Sequence, residues 1–420
     1  MLKEKQILEE QNVNVVVELS GFIEPLKPFE LHMPSRVLFG LGVVEKIGAE
    51  AKMMKAQNVL IVTDLGVLKA GVAGKVQESL LSEGIKTEVW DQVETEPSLP
   101  CVEKLLVRIA QGGFDLLIGV GGGSCMDAAK SAAVLARNEG PPEDYFAGGK
   151  KAFTSRPLPC ITVPTTAGTG AEITWDAVIK DRTGIKAVFE HPYVMPMLAI
   201  VDPVMSTSMP PRLTASSGID ALAHAIESSL TRFTNPITLA LALQSIRLIS
   251  SNLRTAVYQG NNIEARYNMA LATLTEAFSE MNAGDIEAHG FGHLIGSIYK
   301  IPHGIACGIA LPYAMEFNVV VSADRLALIA EAMGEDVLGL PVREAAYKAV
   351  HAVKRIIEDV GLPTTLREVG VKREELPRLA EQAVTIPWIK VMFSYAVREM
   401  NRELAMKLLE DMWEGKLGAQ

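Results

Sequence analysis

The chain runs to 420 residues, 48% of them hydrophobic and 21% charged, with a formal net charge of −10. That balance excludes a disordered chain, and an acidic surplus without a basic stripe excludes nucleic acid as the expected partner. Uninterrupted apolar runs, at 116–120 and 306–311 for instance, are far shorter than the ~20 residues of a bilayer-crossing helix, so no membrane partner is expected either.

Length predicts two domains rather than one core. Residues 1–32 read as an extension, with a short edge strand at 13–17. It opens MLKEKQ, without the basic region and apolar stretch of a signal peptide, so a soluble cytoplasmic protein is expected. From Met33 and Pro34 onward, β-branched runs alternate with helical patterns. A strand at 59–63 is followed by helix to 83, one at 87–90 by helix at 102–111, and one at 114–120 by helix at 127–137. Further strands fall at 160–163 and 198–201. This alternation predicts a parallel sheet flanked by helices. After Pro210 and Pro211 the texture changes. Segments at 212–230, 236–256, 263–281, 323–334, 342–360 and 400–414 carry apolar residues at a period of about 3.6. An α/β domain over 1–208, then an all-helical domain over 209–420, is expected. Cys101, Cys125, Cys160 and Cys307 lack CxxC spacing, which argues against a disulfide framework and a thiolate zinc site.

The chemistry gathers on histidines. The chain has seven, and His224, His289, His293 and His303 fall within one stretch of the helical half. Asp220 and His224 stand four apart in GIDALAHAIE, and His289 and His293 repeat that spacing in EAHGFGH. Positions i and i+4 share a helix face, so each pair can converge on one point. Pro302 breaks the next helix, and His303 is expected on a loop that swings toward the others. One carboxylate with imidazoles suits Fe²⁺ or Zn²⁺, and with three or four protein ligands a position stays open for a substrate oxygen. The bland alternative is a set of hydrogen-bonded core histidines and a helix-surface Asp–His pair. Spacing alone leaves membership of the cluster open among the four histidines.

Three loops in the α/β half point to a phosphate-bearing ligand. Gly121, Gly122, Gly123 and Ser124 follow a buried strand and open a helix carrying Asp127 and Lys130. Glycines there would let a diphosphate approach the backbone at the positive end of the helix dipole. Asp64 closes the strand at 59–63, where a carboxylate could accept from an adenosine ribose or simply cap a helix. The loop PTTAGTG at 164–170 offers Thr165, Thr166 and Thr169 at a strand's carboxyl end, where ligands of open α/β sheets bind.

Together these stretches resemble the iron-containing (group III) alcohol dehydrogenase family, from about Met33 to the C-terminus. The match rests on VTD ending at Asp64, GGGSCMDAAK, PTTAGTG, GIDALAHAIE and the spacing of His289, His293 and His303, in the family's order. The resemblance implies a dehydroquinate-synthase-like two-domain architecture with the active site in the cleft. It implies NAD or NADP as cofactor and a divalent metal, Fe²⁺ with Zn²⁺ the main alternative, held by Asp220, His224, His289 and His303. His293 would then lie beside the metal as a proton relay. The diphosphate would rest on Gly121, Gly122, Gly123 and Ser124, with Asp127 bracing that loop. Thr165, Thr166 and Thr169 would form the second cofactor loop, Glu96, Pro97 and Ser98 another contacting turn, and Asp64 would favour NAD over NADP. A small alcohol or aldehyde substrate and a homo-oligomer are implied. A glycerol-dehydrogenase-like or dehydroquinate-synthase-like zinc enzyme is the alternative within the fold. Three features depart from the family pattern: Ala171 before Glu172, the acidic stretch GDIEA with Asp285 and Glu287, and the extension.

Overall fold

The computed structural model describes residues 28–34 and 36–418, so the edge strand expected at 13–17 lies outside the described residues. Six parallel strands make the main sheet: β1 (Val37–Phe39), β2 (Asn58–Val62), β3 (Lys86–Trp90), β4 (Leu116–Gly121), β5 (Cys160–Pro164) and β8 (Leu198–Val201), in the order β1-β8-β5-β4-β2-β3. Interleaved helices are α1 (Ile47–Met53), α2 (Leu65–Lys69), α3 (Val72–Ser82), α4 (Leu99–Gly112) and α5 (Gly123–Leu135). Alternate residues of β2 enter different cores: Leu60 and Val62 one, Val59 and Ile61 the other. Helices therefore cover both faces, and each fully buried Val, Leu or Ile contributes about 1.5–3 kcal/mol. The chain leaves β2 outward to β3, then returns to place β4 on the opposite side of β2. That reversal opens a crevice at the carboxyl ends of β2 and β4, where Asp64 and Gly121 stand.

Within the described residues the strands expected at 59–63, 87–90, 114–120, 160–163 and 198–201 are present. Sequence reading missed β1 and an antiparallel hairpin, β6 (Asp176–Lys180) with β7 (Lys186–Glu190). Its turn is tied by Asp181, which accepts from Thr183 N and Ile185 N.

From Pro211 on the chain is helical: α6 (Pro211–Leu230), α7 (Pro236–Tyr258), α8 (Ile263–Ala283), α9 (Glu287–Tyr299), α10 (His303–Ala332), α11 (Val342–Asp359), α12 (Leu376–Thr385), α13 (Pro387–Tyr395) and α14 (Arg402–Glu414). The loop expected around His303 is a helix start instead: Pro302 is its N-cap and His303 its first residue. A proline there removes only an N–H that helix geometry would leave unpaired anyway. The segment expected at 323–334 belongs to α10, beyond a kink at Ser322. By length and composition α10 could cross a bilayer, but 83% of its most apolar window is buried within the fold, the mark of a core helix.

Two close approaches fix how the helices of this half pack and how the α/β half meets them. A Cβ on Gly304 would overlap the Ser216 carbonyl, so glycine there lets α10 lie against α6. Gly170, at φ +64°, abuts Ala277 of α8, seating the 164–170 loop on the helical half. Gly170→Ala should therefore combine backbone strain with overlap and lower the unfolding free energy by about 2–4 kcal/mol. Gly184→Ala, at φ +85° with open space around it, should lose only about 1 kcal/mol. Equal losses in thermal unfolding would show that the contact with Ala277 is immaterial.

Candidate metal and dinucleotide site

Asp220 and His224 lie one turn apart on α6, His289 and His293 one turn apart on α9, and His303 opens α10. Packing of these three helices brings the residues together. Asp220 Oδ1 lies 3.9 Å from His289 Nε2 and 3.8 Å from His303 Nε2. Asp220 Oδ1 and His289 Nε2 are buried without a hydrogen-bond partner. An acceptor oxygen and a ring nitrogen left facing each other in this way suit a shared cation. Donor atoms of Asp220, His289, His303 and Cys307 all fall within 4.8 Å of one another, as do those of His224, Asp285 and His289. The donor set thus fits a divalent ion. His224 stacks on His289 at 4.2 Å between ring centroids, at the edge of the first group rather than inside it.

Burial sets the protonation. It holds His224, His293 and His303 well below the ordinary imidazole value and His289 down at about 3, so all four are neutral, the form that binds metal. Burial likewise pushes Asp220 up to about 7, the behaviour of a carboxylate lacking a countercharge.

Sequence reading missed two neighbours. Glu227 is buried at the end of α6 and accepts from Ala288 N at 2.6 Å, His289 N at 3.0 Å and the His289 Nδ1 position. A proton on Nδ1 leaves the Nε2 lone pair facing Asp220. Glu227 shares the α6 face of Asp220 and His224, a helical spacing that could have flagged it. Cys307 stands one turn beyond His303, its sulfur 3.7 Å from both ring nitrogens. Its signal was hidden while His303 was placed on a loop.

His293 sits just outside the donor cluster. Its ring is 4.5 Å from that of His303 and edge-on to Trp388 at 4.6 Å, with Nδ1 buried and unpartnered. Of the acidic departures, Asp285 reaches the cluster, 3.9 Å from His224 Nε2 and 3.7 Å from His289 Nδ1. Glu287 turns away and accepts from Asn318 Nδ2 at 2.9 Å.

On the sheet side, α5 begins at Gly123 with Gly122 as an N-cap that has no side-chain bond, leaving its first N–H groups free for an anion. Ser124 Oγ accepts from Glu96 N at 3.3 Å, which draws the 96–98 turn to this loop. Glu96 is half-buried; burial raises its pKa, but Lys186 and Lys180 outweigh that and hold the group low. Pro97 receives Lys180 N through its carbonyl, and Ser98 caps α4. A Cβ on Gly123 would come within 2.8 Å of Thr169 Oγ1, and one on Gly122 within 3.3 Å of Thr166, so the two loops interlock. Thr165 N donates to Gly121 O at 2.9 Å. Asp127 accepts from Val178 N at 3.1 Å and pairs with Lys130 at 3.2 Å, which makes it a brace between α5 and the hairpin. Asp64 caps α2 through Gly66 N and Val67 N, and its second oxygen receives the Cys125 thiol at 3.3 Å. An unpaired helix start beside a hydroxyl-rich loop fits a dinucleotide.

Comparison with known proteins agrees with this layout. Residues 34–203 match the iron-containing alcohol dehydrogenase family, and residues 214–413 match the C-terminal region of the same family. The chain is 36% identical over 359 residues to the 1,3-propanediol dehydrogenase of Klebsiella pneumoniae, covering 85% of this chain and 92% of that protein. It is 35% identical to the lactaldehyde reductase of Escherichia coli (strain K12), covering 82% and 90% respectively. A solved 1,3-propanediol oxidoreductase superposes with a TM-score of 0.88 at 33% identity, over 92% of this chain and all of that one. With both halves matched in order and a relative this similar along most of the chain, the chain belongs to the iron-containing alcohol dehydrogenase family.

Proposed function

We propose that this oxidoreductase holds a divalent ion, Fe²⁺ in the first instance, on Asp220, His224, His289 and His303, and binds NAD along the carboxyl ends of β2, β4 and β5. The observation that carries the reading is the unpartnered pair Asp220 Oδ1 and His289 Nε2, 3.9 Å apart in a buried cluster. When bound, the ion supplies Lewis acidity toward a substrate oxygen, and the nicotinamide accepts or returns hydride as alcohol and carbonyl interconvert. Gly121, Gly122, Gly123 and Ser124 receive the diphosphate, with Asp127 bracing their loop. Thr165, Thr166 and Thr169 orient the nicotinamide ribose, and the turn of Glu96, Pro97 and Ser98 closes over the cofactor. Asp64 faces the adenosine ribose and favours NAD over NADP, since a carboxylate repels a 2′-phosphate. His293 takes or returns the hydroxyl proton at a ring nitrogen, and Trp388 beside it excludes water. Glu227 fixes the His289 tautomer. Cys307 stays a neutral neighbour of His303 rather than a ligand: burial pushes its pKa well up and the Asp220 carboxylate adds to that. We further propose a boundary near residue 208, a cytoplasmic location and a homo-oligomer.

His303→Ala should lose metal and turnover yet keep dinucleotide affinity, read by elemental analysis and by titration of NADH fluorescence; full activity in that variant would sink the metal assignment. Metal content also separates the two fourth ligands. His224→Ala should drop it well below one equivalent and Cys307→Ser should retain it, and the reverse pattern would hand the position to sulfur. Asp64→Gly costs the cap only a few tenths of a kcal/mol, so the fold should survive while the NADP to NAD ratio of kcat/KM rises. An unchanged ratio removes Asp64 from the ribose site.

A further inference from the structure

Lys130 of α5 is buried along its whole length, with its side chain 0% exposed. Burying an ammonium group is costly unless its charge and its hydrogens are both answered. Asp127, at 3.2 Å, answers the charge. The hydrogens go to one short stretch of chain: Ala171 O at 2.8 Å, Thr174 Oγ1 at 3.1 Å and Asp176 O at 2.6 Å. A lysine has three hydrogens to donate, and that stretch takes all three. It is the stretch that joins the threonine loop to β6. An apolar side chain of similar length would fill the space without the cost of burial, but could hold no carbonyl.

What Lys130 holds leads back to its own helix. The turn after the threonine loop has three successive carbonyls, each with a donor. Gly170 O takes Ile173 N at 3.1 Å, Ala171 O takes Lys130, and Glu172 O takes Thr162 Oγ1 at 2.8 Å. Of these donors only Lys130 belongs to α5. The peptide nitrogen of Ala171 donates in turn to Thr169 Oγ1 at 3.4 Å. That oxygen is the atom which a Cβ on Gly123 would approach to 2.8 Å. Gly123 opens α5, and Lys130 follows about two turns later on the same helix face, about 10 Å away. The connection is a closed ring, from Gly123 to Thr169 to Ala171 to Lys130, by which α5 fixes the loop lying over its own N-terminus.

We propose that Lys130 is a positioning residue for the cofactor: through Ala171 it holds the Thr169 hydroxyl against the start of α5, and so sets the nicotinamide half of the dinucleotide relative to the diphosphate. The inference rests on the dinucleotide reading above. It concerns placement alone, and no proton or hydride passes through Lys130. ADP, which ends at the diphosphate, binds almost independently of this ring. NADH, which reaches on to the threonine loop, depends on it.

The test titrates the full chain with NADH and with ADP by calorimetry. Lys130→Met keeps the length of the side chain and loses its donors. The dissociation constant for NADH should rise about tenfold, the scale of one lost hydrogen bond, while that for ADP changes by less than about twofold. Thr169→Val, at the other end of the ring, should reproduce the NADH-selective loss. The double variant should lose no more than either single one, because the two residues act along one path. Equal weakening of both nucleotides, or of neither, leaves Lys130 a stabiliser of the fold and overturns the inference. Additive losses overturn it too, since the effect would not then run through Thr169. If Lys130→Met does not fold, Thr169→Val decides: a selective loss supports the inference and an unchanged NADH to ADP ratio overturns it. Should the native chain bind neither nucleotide, the dinucleotide reading itself fails and the inference with it.

Discussion

The site depends on one buried carboxylate, that of Glu227. It accepts two consecutive backbone N–H groups at the start of α9, from Ala288 and His289, and the His289 ring as well. α9 has no side-chain N-cap of its own, with Ile286 at that position. Glu227 thus does from another helix what a capping residue does locally, and satisfies donors that would otherwise be orphaned. Because the same group fixes the ring, helix placement and imidazole tautomer are a single event. His289 cannot turn its Nε2 toward Asp220 unless α9 is docked on α6.

That docking concentrates charge in a place where charge is disfavoured. Burial drives Asp220 up to about 7 and Glu172 to about 7, and holds Glu276 and Asp285 well above the ordinary carboxylate range, with repulsion from neighbouring carboxyl groups adding to burial for the last two. A fold selected for stability alone would fill such positions with apolar side chains of similar volume. Retaining carboxyl groups there makes sense where a cation arrives during function. The same logic separates Glu287, which is raised to about 8 but spends one oxygen on Asn318 and faces away from the histidines.

Periodicity made much of this legible. Strands β2, β4, β5 and β8 read clearly because their residues are buried on both sheet faces, and α6, α7, α8 and α11 because each is long enough to repeat its apolar stripe. β1 has three residues, all half-buried, too few for any period to register. The hairpin was missed because β6 and β7 are rich in lysine and acid outside their few buried positions. The residues of the candidate metal cluster were legible as i, i+4 pairs, but a helix face says nothing about which other helix it meets. Glu227 and Cys307 stand at helical spacing from the cluster residues, but what they meet, like the reach of Asp285, is a relation between elements that no local pattern encodes. His303 was misplaced for a related reason: a proline reads as a break until its position relative to the helix start is known.

The threonine loop ties the two halves together. Its residues touch the 121–124 loop through Thr165, Thr166 and Thr169, while Gly168 packs on Ser217 of α6 and Gly170 on Ala277 of α8. Anything that shifts α6 or α8 must therefore shift the 121–124 loop, and the converse holds equally. Such seating matters for a bound substrate and cofactor, since a misplacement of about 1 Å can cost on the order of a hundredfold in rate. Two glycines let the loop lie this close to both helices, while its threonines meet the 121–124 loop. The backbone of the threonine loop thus packs at once against the 121–124 loop and against the helices of the candidate metal cluster.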